Sequence, residues 1–516
     1  MSCRRSIAAT LLLAAGELCF ILQAAAQSRP TDQEAHIQRI EAHALDLTVN
    51  PKEAPLQMSL EKLMELYKVP GLSIAVIDNY QIVWTKAYGT TDVGSNRPVT
   101  TKTLFQAGSI SKPVAATGAL FLVEKGKLAL DEDVNRKLKT WKVPDNEFTK
   151  NERVTLRRLM SHTAGLTIHG FPGYDVDAAL PTLVQIFNGE KPANTGPIRV
   201  EAIPGTKENY SGGGITIEQQ LMIDVTGKAF PEFMCEAVLD KIGMKDSSYN
   251  QPLPGAWASR TAGGTYRDGT EVHGRWHIYP EMAAAGLWTT PTDLATFVIE
   301  IALSKQGKAT HVLSQKMTNE MLSPVMDEAG LGFFLDKQNP GQFGHDGADE
   351  GFQALLTMNA DTGKGLAIMA NSDNGISIAE LILRSVAKEY GWNYKAQDDP
   401  GQVLFLIAST KGTSAALKRY TDLKNSAAKD SGIDEQTLNY LGYVLLQAGR
   451  AQDAITVFQR NVQEYPESWN VYDSLGEAYM DAGQKELAIA NYEKSLQINP
   501  KNQNGAEKLR QLKANQ

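Results

Sequence analysis

This 516-residue chain lacks any long run of lysine or arginine, and its charge is nearly balanced. The 51 lysine and arginine residues stand against 59 aspartate and glutamate residues, which gives a formal net charge of −8 at pH 7. Without a basic stripe, neither a nucleic acid nor an anionic membrane surface is expected as a partner. We interpret the mild acidity as a contribution to solubility.

Several motifs that indicate a particular chemistry are also absent. The G-x-S-x-G elbow of α/β-hydrolases does not occur, since the stretch NYSGG at 209–213 misses it by one residue. No glycine motif for phosphate binding, no H-E-x-x-H pair and no cysteine cluster is present. His162, His169, His273 and His277 have spacings that a metal could use, but we interpret them as surface or hydrogen-bonded side chains. The sequence therefore predicts neither a metal nor a cofactor.

Cysteine is scarce, with three residues at positions 3, 19 and 235. The chain begins with a basic start, an apolar stretch and three alanines, the layout of a secretory signal that is removed after residue 26. Its charge-free apolar runs are shorter than the roughly 18 residues that a membrane-spanning helix requires. Cleavage leaves Cys235 without a disulfide partner, and its helical surroundings predict a buried core residue. The mature protein is expected to be exported, periplasmic or secreted.

Length and a hydrophobic content of 42% predict roughly two or three domains. Strand-like runs at 72–78 and 81–89 predict one hairpin, and runs at 351–360 and 365–372 predict another. Helical patterns occupy the region between the hairpins and follow the second one, namely at 153–166, 290–303 and 376–392. Residues 27–395 are therefore predicted to form an α+β domain, with one antiparallel sheet built from both chain ends, covered by helices and interrupted by a helical insertion.

The C-terminal part of the chain repeats itself with a period of 34 residues. Residues 433–466 and 467–500 share leucine, glycine, alanine, isoleucine and proline at matching positions. This pattern resembles the tetratricopeptide repeat, a helix pair in which small residues allow close approach. Residues 396–432 are predicted to be a helical linker, and 433–516 an all-α module of two repeats plus a capping helix. Two interpretations stay open, a groove for a peptide or partner protein and a structural appendage packed on the preceding domain.

A serine three residues before a lysine occurs four times, at Ser59/Lys62, Ser109/Lys112, Ser385/Lys388 and Ser426/Lys429. The second copy differs because Pro113 follows its lysine directly. Proline has no N–H and is tolerated only in the first turn of a helix. This predicts Ser109 as the N-cap of a helix, with a free backbone amide at the positive end of the dipole and Lys112 one turn away. The other three serines are predicted to lie within helical runs.

Further motifs follow Ser109 in a fixed order. They are SISK at 109–112, SHTAGL at 161–166, PGTKENYSGGG at 204–214, AAAGLWTTPTDLATF at 283–297 and FGHDGADEGF at 343–352. In this order the motifs resemble the serine β-lactamase and penicillin-binding protein superfamily, in particular the branch of class C β-lactamases, D-aminopeptidases and related esterases. The resemblance covers roughly residues 55–392.

The resemblance implies roles for residues of the first two motifs. Ser109 would be the acylated nucleophile and Lys112 its proton acceptor, while Tyr210 would share proton transfer with the lysine. A partly buried amine with positive neighbours loses its proton more easily, and a nearby phenol can relay that proton to the leaving group. The implied reaction is hydrolysis of an ester or amide bond in a small molecule or short peptide.

The third motif begins at His345, which the resemblance places on an edge strand, and runs through Gly347. The N–H of Ala348 would be the second oxyanion donor, beside that of Ser109. Two departures from the family pattern bear on the substrate, because Gly212 replaces a common asparagine and His345 replaces a common lysine. Both weaken recognition of an acylamino-carboxylate, so we expect an esterase or a D-amino-acid peptidase. A true β-lactamase or D-Ala-D-Ala carboxypeptidase, and a weakly active scaffold for the repeats, are the alternatives.

Overall fold

The computed structural model describes residues 32–48, 54–395, 398–425 and 432–514. The predicted signal segment, with the cysteines at 3 and 19, and Ser426 lie outside these residues. The strands are β1 Leu45–Leu47, β2 Leu56–Met58, β3 Gly71–Asp78, β4 Gln81–Gly89, β5 Phe105–Gln106, β6 Trp288–Thr289, β7 Phe334–Leu335, β8 Gln342–Asp349, β9 Phe352–Asn359 and β10 Lys364–Ala370.

The helices before the second hairpin surround the sheet or form the insertion. They are α1 32–42, α2 Leu60–Leu66, α3 Ser111–Glu124, α4 Leu156–Met160, α5 Leu183–Asn188, α6 Gly212–Thr226, α7 Phe230–Met234, α8 Asp240–Ile242, α9 Gly255–Ala258, α10 Met282–Ala285, α11 Pro291–Lys305 and α12 Gln315–Met321. The later helices are α13 Gly375–Glu389, α14 Pro400–Thr410, α15 Thr413–Asn425, α16 Glu435–Gln447, α17 Ala451–Glu464, α18 Trp469–Asp481, α19 Lys485–Ile498 and α20 Gln503–Ala514. Across the described residues no helix is both long and apolar enough to cross a membrane.

One antiparallel sheet joins strands from distant parts of the chain. Its order is β4-β3-β10-β9-β8-β7, and β3 pairs with β10 so that Ile74 lies opposite Ile368. The helices α3 to α12 are inserted between β4 and β7, together with the two-residue strands β5 and β6. This arrangement confirms the predicted α+β fold.

The strand β3, second from one edge of the sheet, is buried on both faces. Ala75 and Ile77 belong to a core cluster shared with the inserted helices. The alternate residues Leu72, Ile74 and Val76 belong to a second cluster, shared with α2, α13 and the C-terminal helices. Successive strand residues point to opposite faces, which explains why this strand has to be apolar almost throughout.

The second cluster fixes the C-terminal helices to the sheet. Phe405 on α14 packs edge-on against Tyr67, with ring centroids 5.3 Å apart, and the Lys68 Nζ donates a hydrogen bond of 2.8 Å to the carbonyl of Gln447. Within the repeats, a Cβ at Gly442 would lie 2.4 Å from the ring of Phe458, so glycine allows α16 and α17 to approach. The helices therefore pair as the repeat pattern predicts, and the module packs on the sheet face opposite α3.

The helix predicted across 153–166 is shorter than its pattern suggested. The helix α4 follows its N-cap Thr155 and ends at Met160. His162 then takes a φ of 57° and Gly165 a φ of 67°. Because a right-handed helix cannot pass through left-handed residues, the chain turns here instead of continuing.

The prediction that Cys235 is buried is wrong. The neighbouring Phe233 and Val238 are buried, but the thiol of Cys235 is exposed. The backbone forms a π-helical turn over Cys235–Leu239, which shifts the phase of the apolar face relative to a regular helix. Partial burial and the nearby Asp240 raise the pKa of the thiol, which does not favour a reactive thiolate.

A carboxyl group without a partner lies inside the first core cluster. Glu218 on α6 is fully buried, and neither of its carboxyl oxygens has a hydrogen-bond partner among the described residues. Burial disfavours the charged form and raises the pKa of Glu218 from 4.5 to about 8. The folded protein therefore holds a proton at Glu218 that the unfolded chain releases between these two pH values.

We expect the Glu218→Gln variant to be more stable than the original protein at neutral and alkaline pH. Because the pKa of Glu218 is raised on folding, the free energy of unfolding of the original protein falls as the pH rises from 4.5 to about 8. At pH 7 it is about 3 kcal/mol lower than at a pH below 4.5. Glutamine does not titrate, so this loss disappears. Unfolding free energies at pH 4.5 and pH 8 should show the difference between the two proteins growing with pH, and the variant Glu61→Gln, at an exposed position, is measured in parallel. A pH-independent difference for Glu218→Gln would contradict the prediction.

Candidate active site

Ser109 lies in a tight turn directly before α3. The turn is a 3₁₀ helix over Gly108–Ile110, and Ile110, not Ser109, occupies the N-cap position of α3. The prediction of Ser109 as N-cap is therefore wrong by one residue, because Gly108 takes a φ of 50° and starts the tighter turn. Pro113 is the third residue of α3, in the first turn as its missing N–H requires. Ser109 itself is half-buried.

The lysine of the same motif contacts the serine directly. Lys112 is 2% exposed, and its Nζ donates a hydrogen bond of 2.8 Å to the Ser109 Oγ. A second hydrogen bond of 2.8 Å goes to the carbonyl of Ala284 on α10. The amine also lies 4.9 Å from the ring centroid of Tyr210. The predicted residues Ser109, Lys112 and Tyr210 are thus brought together.

The two other S-x-x-K copies within the described residues have different surroundings. Ser59 is the N-cap of α2, accepting the backbone N–H of Lys62, so its predicted place inside a helical run is wrong. Ser385 lies within α13 and donates to the carbonyl of His43, while Lys388 pairs with Asp46. Only at Ser109 is a hydrogen bond from the motif's lysine amine to its serine recorded among the described residues.

Aromatic and imidazole rings enclose Tyr210, which is half-buried. Ring centroids lie 4.3 Å away for His162, 4.7 Å for His169, and 6.1 Å for both Phe334 and His345. The sequence did not single out His162, His169 or Phe334 for this site. His162 could have been found, since it lies within the SHTAGL motif that carried the family resemblance. No pattern marks His169 or Phe334.

His345 is buried and neutral. Its Nδ1 lies 2.5 Å from the carbonyl oxygen of Asp346 and must donate to it, which leaves Nε2 unprotonated and without a partner among the described residues. Burial, followed by the charge of Lys112, lowers the pKa of His345 to about 3. Its strand β8 is second from the edge instead of outermost, because β7 pairs with residues 343 and 344. His345 therefore supplies no positive charge to the site near neutral pH.

Two glycines allow β8 to approach the serine turn. A Cβ at Gly347 would lie 1.9 Å from the carbonyl oxygen of Ala107, and one at Gly108 would lie 2.4 Å from the amide nitrogen of Ala348. Both distances are far shorter than any Cβ contact that a protein tolerates. The Ala348 amide thus lies beside the turn that carries Ser109, where a developing oxyanion would need donors.

We expect Gly347→Ala to lower kcat by about a hundredfold, because β8 must move away from the Ser109 turn and displace the Ala348 amide. Gly255→Ala is a matched control, since a Cβ there meets nothing within 4 Å. Turnover of an aryl ester by the two variants would check this, with unfolding temperatures measured in parallel. Full activity in a folded Gly347→Ala protein would show that the close approach is not required.

Gly212 is the first residue of α6, immediately after the N-cap Ser211. Its N–H donates to the carbonyl of His169 at 2.9 Å. It offers no side-chain amide, and a Cβ would lie 3.1 Å from that same carbonyl.

At the end of β8, Asp349 is buried, and burial raises the pKa of this carboxyl well above its ordinary value, with Lys112 opposing the shift. Within the described residues no group of histidine, cysteine and acidic side chains has the arrangement of a metal site.

The sheet with its helical insertion and the hydrogen-bonded Ser109–Lys112 pair together define a serine hydrolase. The chain belongs to the beta-lactamase family, since the family profile described as Beta-lactamase matches residues 57–390. Tetratricopeptide repeat profiles match residues 438–468 and 469–502.

Two curated relatives are slightly more than a quarter identical to this chain over the aligned residues. A protein named Beta-lactamase from Pseudomonas fluorescens is 28% identical over 264 residues, which cover 49% of this chain and 68% of that protein. A protein named unguisins hydrolase ungD from Aspergillus violaceofuscus is 27% identical, over 47% of this chain and 44% of its own length. The chain therefore spans less than half of the second relative.

Solved structures share the fold at lower identity. The octameric penicillin-binding protein homologue from Pyrococcus abyssi aligns with a TM-score of 0.52 and 22% identity, over 65% of this chain and 76% of that chain. A structure titled SurE aligns with a TM-score of 0.51 and 24% identity, over 66% and 76%. These similarities support the β-lactamase-like fold of the first domain.

Proposed function

We propose that the protein hydrolyses an ester or amide bond in a small molecule or short peptide through an acyl-enzyme on Ser109. The observation that carries this proposal is the buried Lys112 amine, 2.8 Å from the Ser109 Oγ and held by the Ala284 carbonyl. An amine in this position takes the serine proton when it is itself unprotonated. The pair is therefore arranged for nucleophilic attack.

In the proposed reaction, the Ser109 Oγ attacks the substrate carbonyl while its proton passes to Lys112. The N–H groups of Ser109 and Ala348 bind the resulting oxyanion. Tyr210 passes the proton to the leaving alcohol or amine, and the bond to that group breaks to give the acyl-enzyme. Water then attacks the ester, its proton returns through the same groups, and the acid is released from Ser109.

The proposed substrate preference follows from the residues at the second and third motifs. His345 is neutral, with a pKa of about 3, and Gly212 has no amide side chain. A substrate carboxylate would therefore have no permanent positive charge to bind at His345. The acylamino group of a substrate would have no side-chain hydrogen-bond donor at Gly212. Polar groups left unpaired in this way lower transition-state binding. We therefore favour an esterase or a D-amino-acid peptidase over a β-lactamase.

A β-lactamase or D-Ala-D-Ala carboxypeptidase is the second candidate. It is favoured by the relatives named Beta-lactamase from Pseudomonas fluorescens and from Escherichia coli, at 28% and 27% identity. Ring opening of a β-lactam uses the same serine and the same oxyanion donors, so the chemistry does not separate the candidates. Only recognition of the carboxylate does, and here the neutral His345 argues for weak turnover.

A hydrolysis panel tests the proposal against this alternative. Short-chain aryl esters, D-amino-acid amides, D-Ala-D-Ala peptides and a chromogenic cephalosporin should each be run on the full chain and on Ser109→Ala. We expect Ser109-dependent turnover of esters or D-amino-acid amides that exceeds turnover of the cephalosporin. Cephalosporin hydrolysis as the fastest reaction would favour the alternative, and no Ser109-dependent turnover at all would favour a scaffold without useful activity.

We also propose that the repeats bind a protein partner and that the protein is exported to the periplasm or beyond. The two repeat matches support the first statement, and the basic, apolar and alanine-rich start of the chain supports the second. Cell fractionation with N-terminal sequencing tests export, with a mature start at Gln27 as the expected result. A pull-down should use the full chain, because the repeats share a core cluster with the sheet.

A further inference from the structure

We propose that His162 is a positioning residue that fixes the ring and the backbone of Tyr210 for proton transfer. This inference rests on the proposed function, in which Tyr210 relays a proton between Lys112 and the leaving group. His162 belongs to the SHTAGL stretch and lies 48 positions before the tyrosine in the chain. The fold brings the two together where α4 ends and α6 begins.

Three separate contacts join His162 to the tyrosine and its neighbours. The Nδ1 of His162 accepts the backbone N–H of Ser211 at 3.2 Å. Its carbonyl oxygen accepts the N–H of Asn209 at 2.7 Å. The imidazole packs on the Tyr210 ring with centroids 4.3 Å apart and planes 35° apart. His162 therefore fixes the residues on both sides of Tyr210 as well as its ring.

The backbone of His162 adopts an unfavourable conformation to make these contacts. Its φ is 57°, in the left-handed region that a non-glycine residue seldom occupies. Glycine would serve better if only the turn of the chain mattered, as at Gly165 three residues later. Glycine could supply neither the acceptor for Ser211 nor the ring against Tyr210. The strained residue is thus explained by its side-chain contacts.

The same contacts define the protonation state of His162. Because Nδ1 accepts a hydrogen bond, the neutral ring has to carry its proton on Nε2. Burial, followed by the charge of Lys112, lowers the pKa of His162 well below its ordinary value. A neutral ring packs on Tyr210 without adding a positive charge next to the lysine.

His169 contacts Tyr210 less closely. Its ring centroid lies 4.7 Å from that of Tyr210, but the residue is exposed, and its carbonyl accepts the N–H of Gly212 instead of a neighbour of the tyrosine. An exposed ring is packed by fewer neighbours than a buried one and therefore fixes its contacts less firmly. We therefore assign the positioning role to His162 alone.

Two substitutions separate the contacts. His162→Asn keeps an acceptor near the Nδ1 position and tolerates a left-handed backbone, but it removes the ring. His162→Phe keeps the ring and removes the acceptor. Each should be measured alone and combined with Tyr210→Phe, with a short-chain alkyl ester as substrate, because its leaving group must be protonated. His311→Asn, at an exposed histidine bonded to Glu300, is the matched control.

We expect each His162 substitution alone to lower kcat by roughly tenfold or more, while KM stays within about threefold of the value for the original protein. In the Tyr210→Phe background, the same substitutions should change kcat by less than about threefold. The control should leave kcat unchanged in both backgrounds. Equal losses in both backgrounds, or unchanged kcat in the single variants, would overturn the inference. Covalent labelling of Ser109 and unfolding temperatures identify any variant that has lost its fold, and His162→Asn is chosen because it keeps the backbone and its acceptor. Full turnover by Tyr210→Phe alone would instead contradict the role of Tyr210 in the proposed function.

Discussion

Replacing Ser109 with alanine is expected to abolish covalent labelling by a fluorophosphonate or β-lactam probe and to lower kcat by on the order of 10⁴-fold or more. In the proposed mechanism the serine oxygen is the protein atom that forms a covalent bond to the substrate carbonyl carbon. Its loss therefore removes the acyl-enzyme itself, while the oxyanion donors and the binding surface stay in place. The fold should survive, because Ser109 is half-buried and, in the part of the chain that the structure describes, the hydrogen bond of its side chain is the one it accepts from Lys112.

Ser385→Ala is the matched control for this experiment. Ser385 precedes Lys388 with the same spacing, but it lies within α13 and its hydroxyl donates to the carbonyl of His43. Labelling and turnover should be unchanged in this variant. Intact-mass spectrometry gives the labelling stoichiometry directly. Undiminished labelling of Ser109→Ala would show that another residue is the nucleophile.

The serine and its lysine could be predicted from sequence because their relation is local. Three residues separate Ser109 from Lys112, and Pro113 restricts where the helix can begin, so only backbone geometry is needed to bring the two side chains together. The sheet could be predicted for a similar reason, since strand-like apolar runs bounded by turns mark both hairpins. Tyr210 and His345 required the family resemblance as well, because they lie far along the chain.

The errors arise where tertiary contacts decide the local structure. The pattern at 153–166 is helical, yet His162 turns the chain because its ring and carbonyl contact residues near Tyr210. Ser109 misses the N-cap position because β8 passes so close that Gly108 has to form a tighter turn. Cys235 faces solvent because a π-helical turn changes the helix phase. None of these causes is visible within a short window of sequence.

The helices that cover each face of the sheet could not be predicted from the apolar pattern of its strands. The apolar run of β3 is consistent with the burial on both sides that the structure shows, but the run does not say which helices cover each side. The structure assigns α3 and the inserted helices to one side and the repeat module to the other. The repeats therefore contribute to the core of the full chain, so a partner bound to them would contact an element that packs on the catalytic domain.

Tyr210→Phe is expected to lower kcat by about 10²- to 10³-fold while KM changes little. The substitution removes one oxygen and keeps the ring that packs against His162 and His169. Substrate binding should therefore persist, and the loss should fall on the step in which the leaving group takes a proton. Lys112 retains its hydrogen bonds to Ser109 and Ala284, so attack by the serine can still begin.

The leaving group provides the sharpest measurement of this effect. An aryl ester releases a phenolate that needs little protonation, whereas an alkyl ester or an amide releases a group that must be protonated as its bond breaks. The ratio of kcat for the original protein to kcat for Tyr210→Phe should therefore be larger for the alkyl ester or amide than for the aryl ester. Equal ratios would mean that Tyr210 does not protonate the leaving group. Undiminished turnover of both substrates would remove Tyr210 from the mechanism and leave Lys112 as the residue that carries the proton.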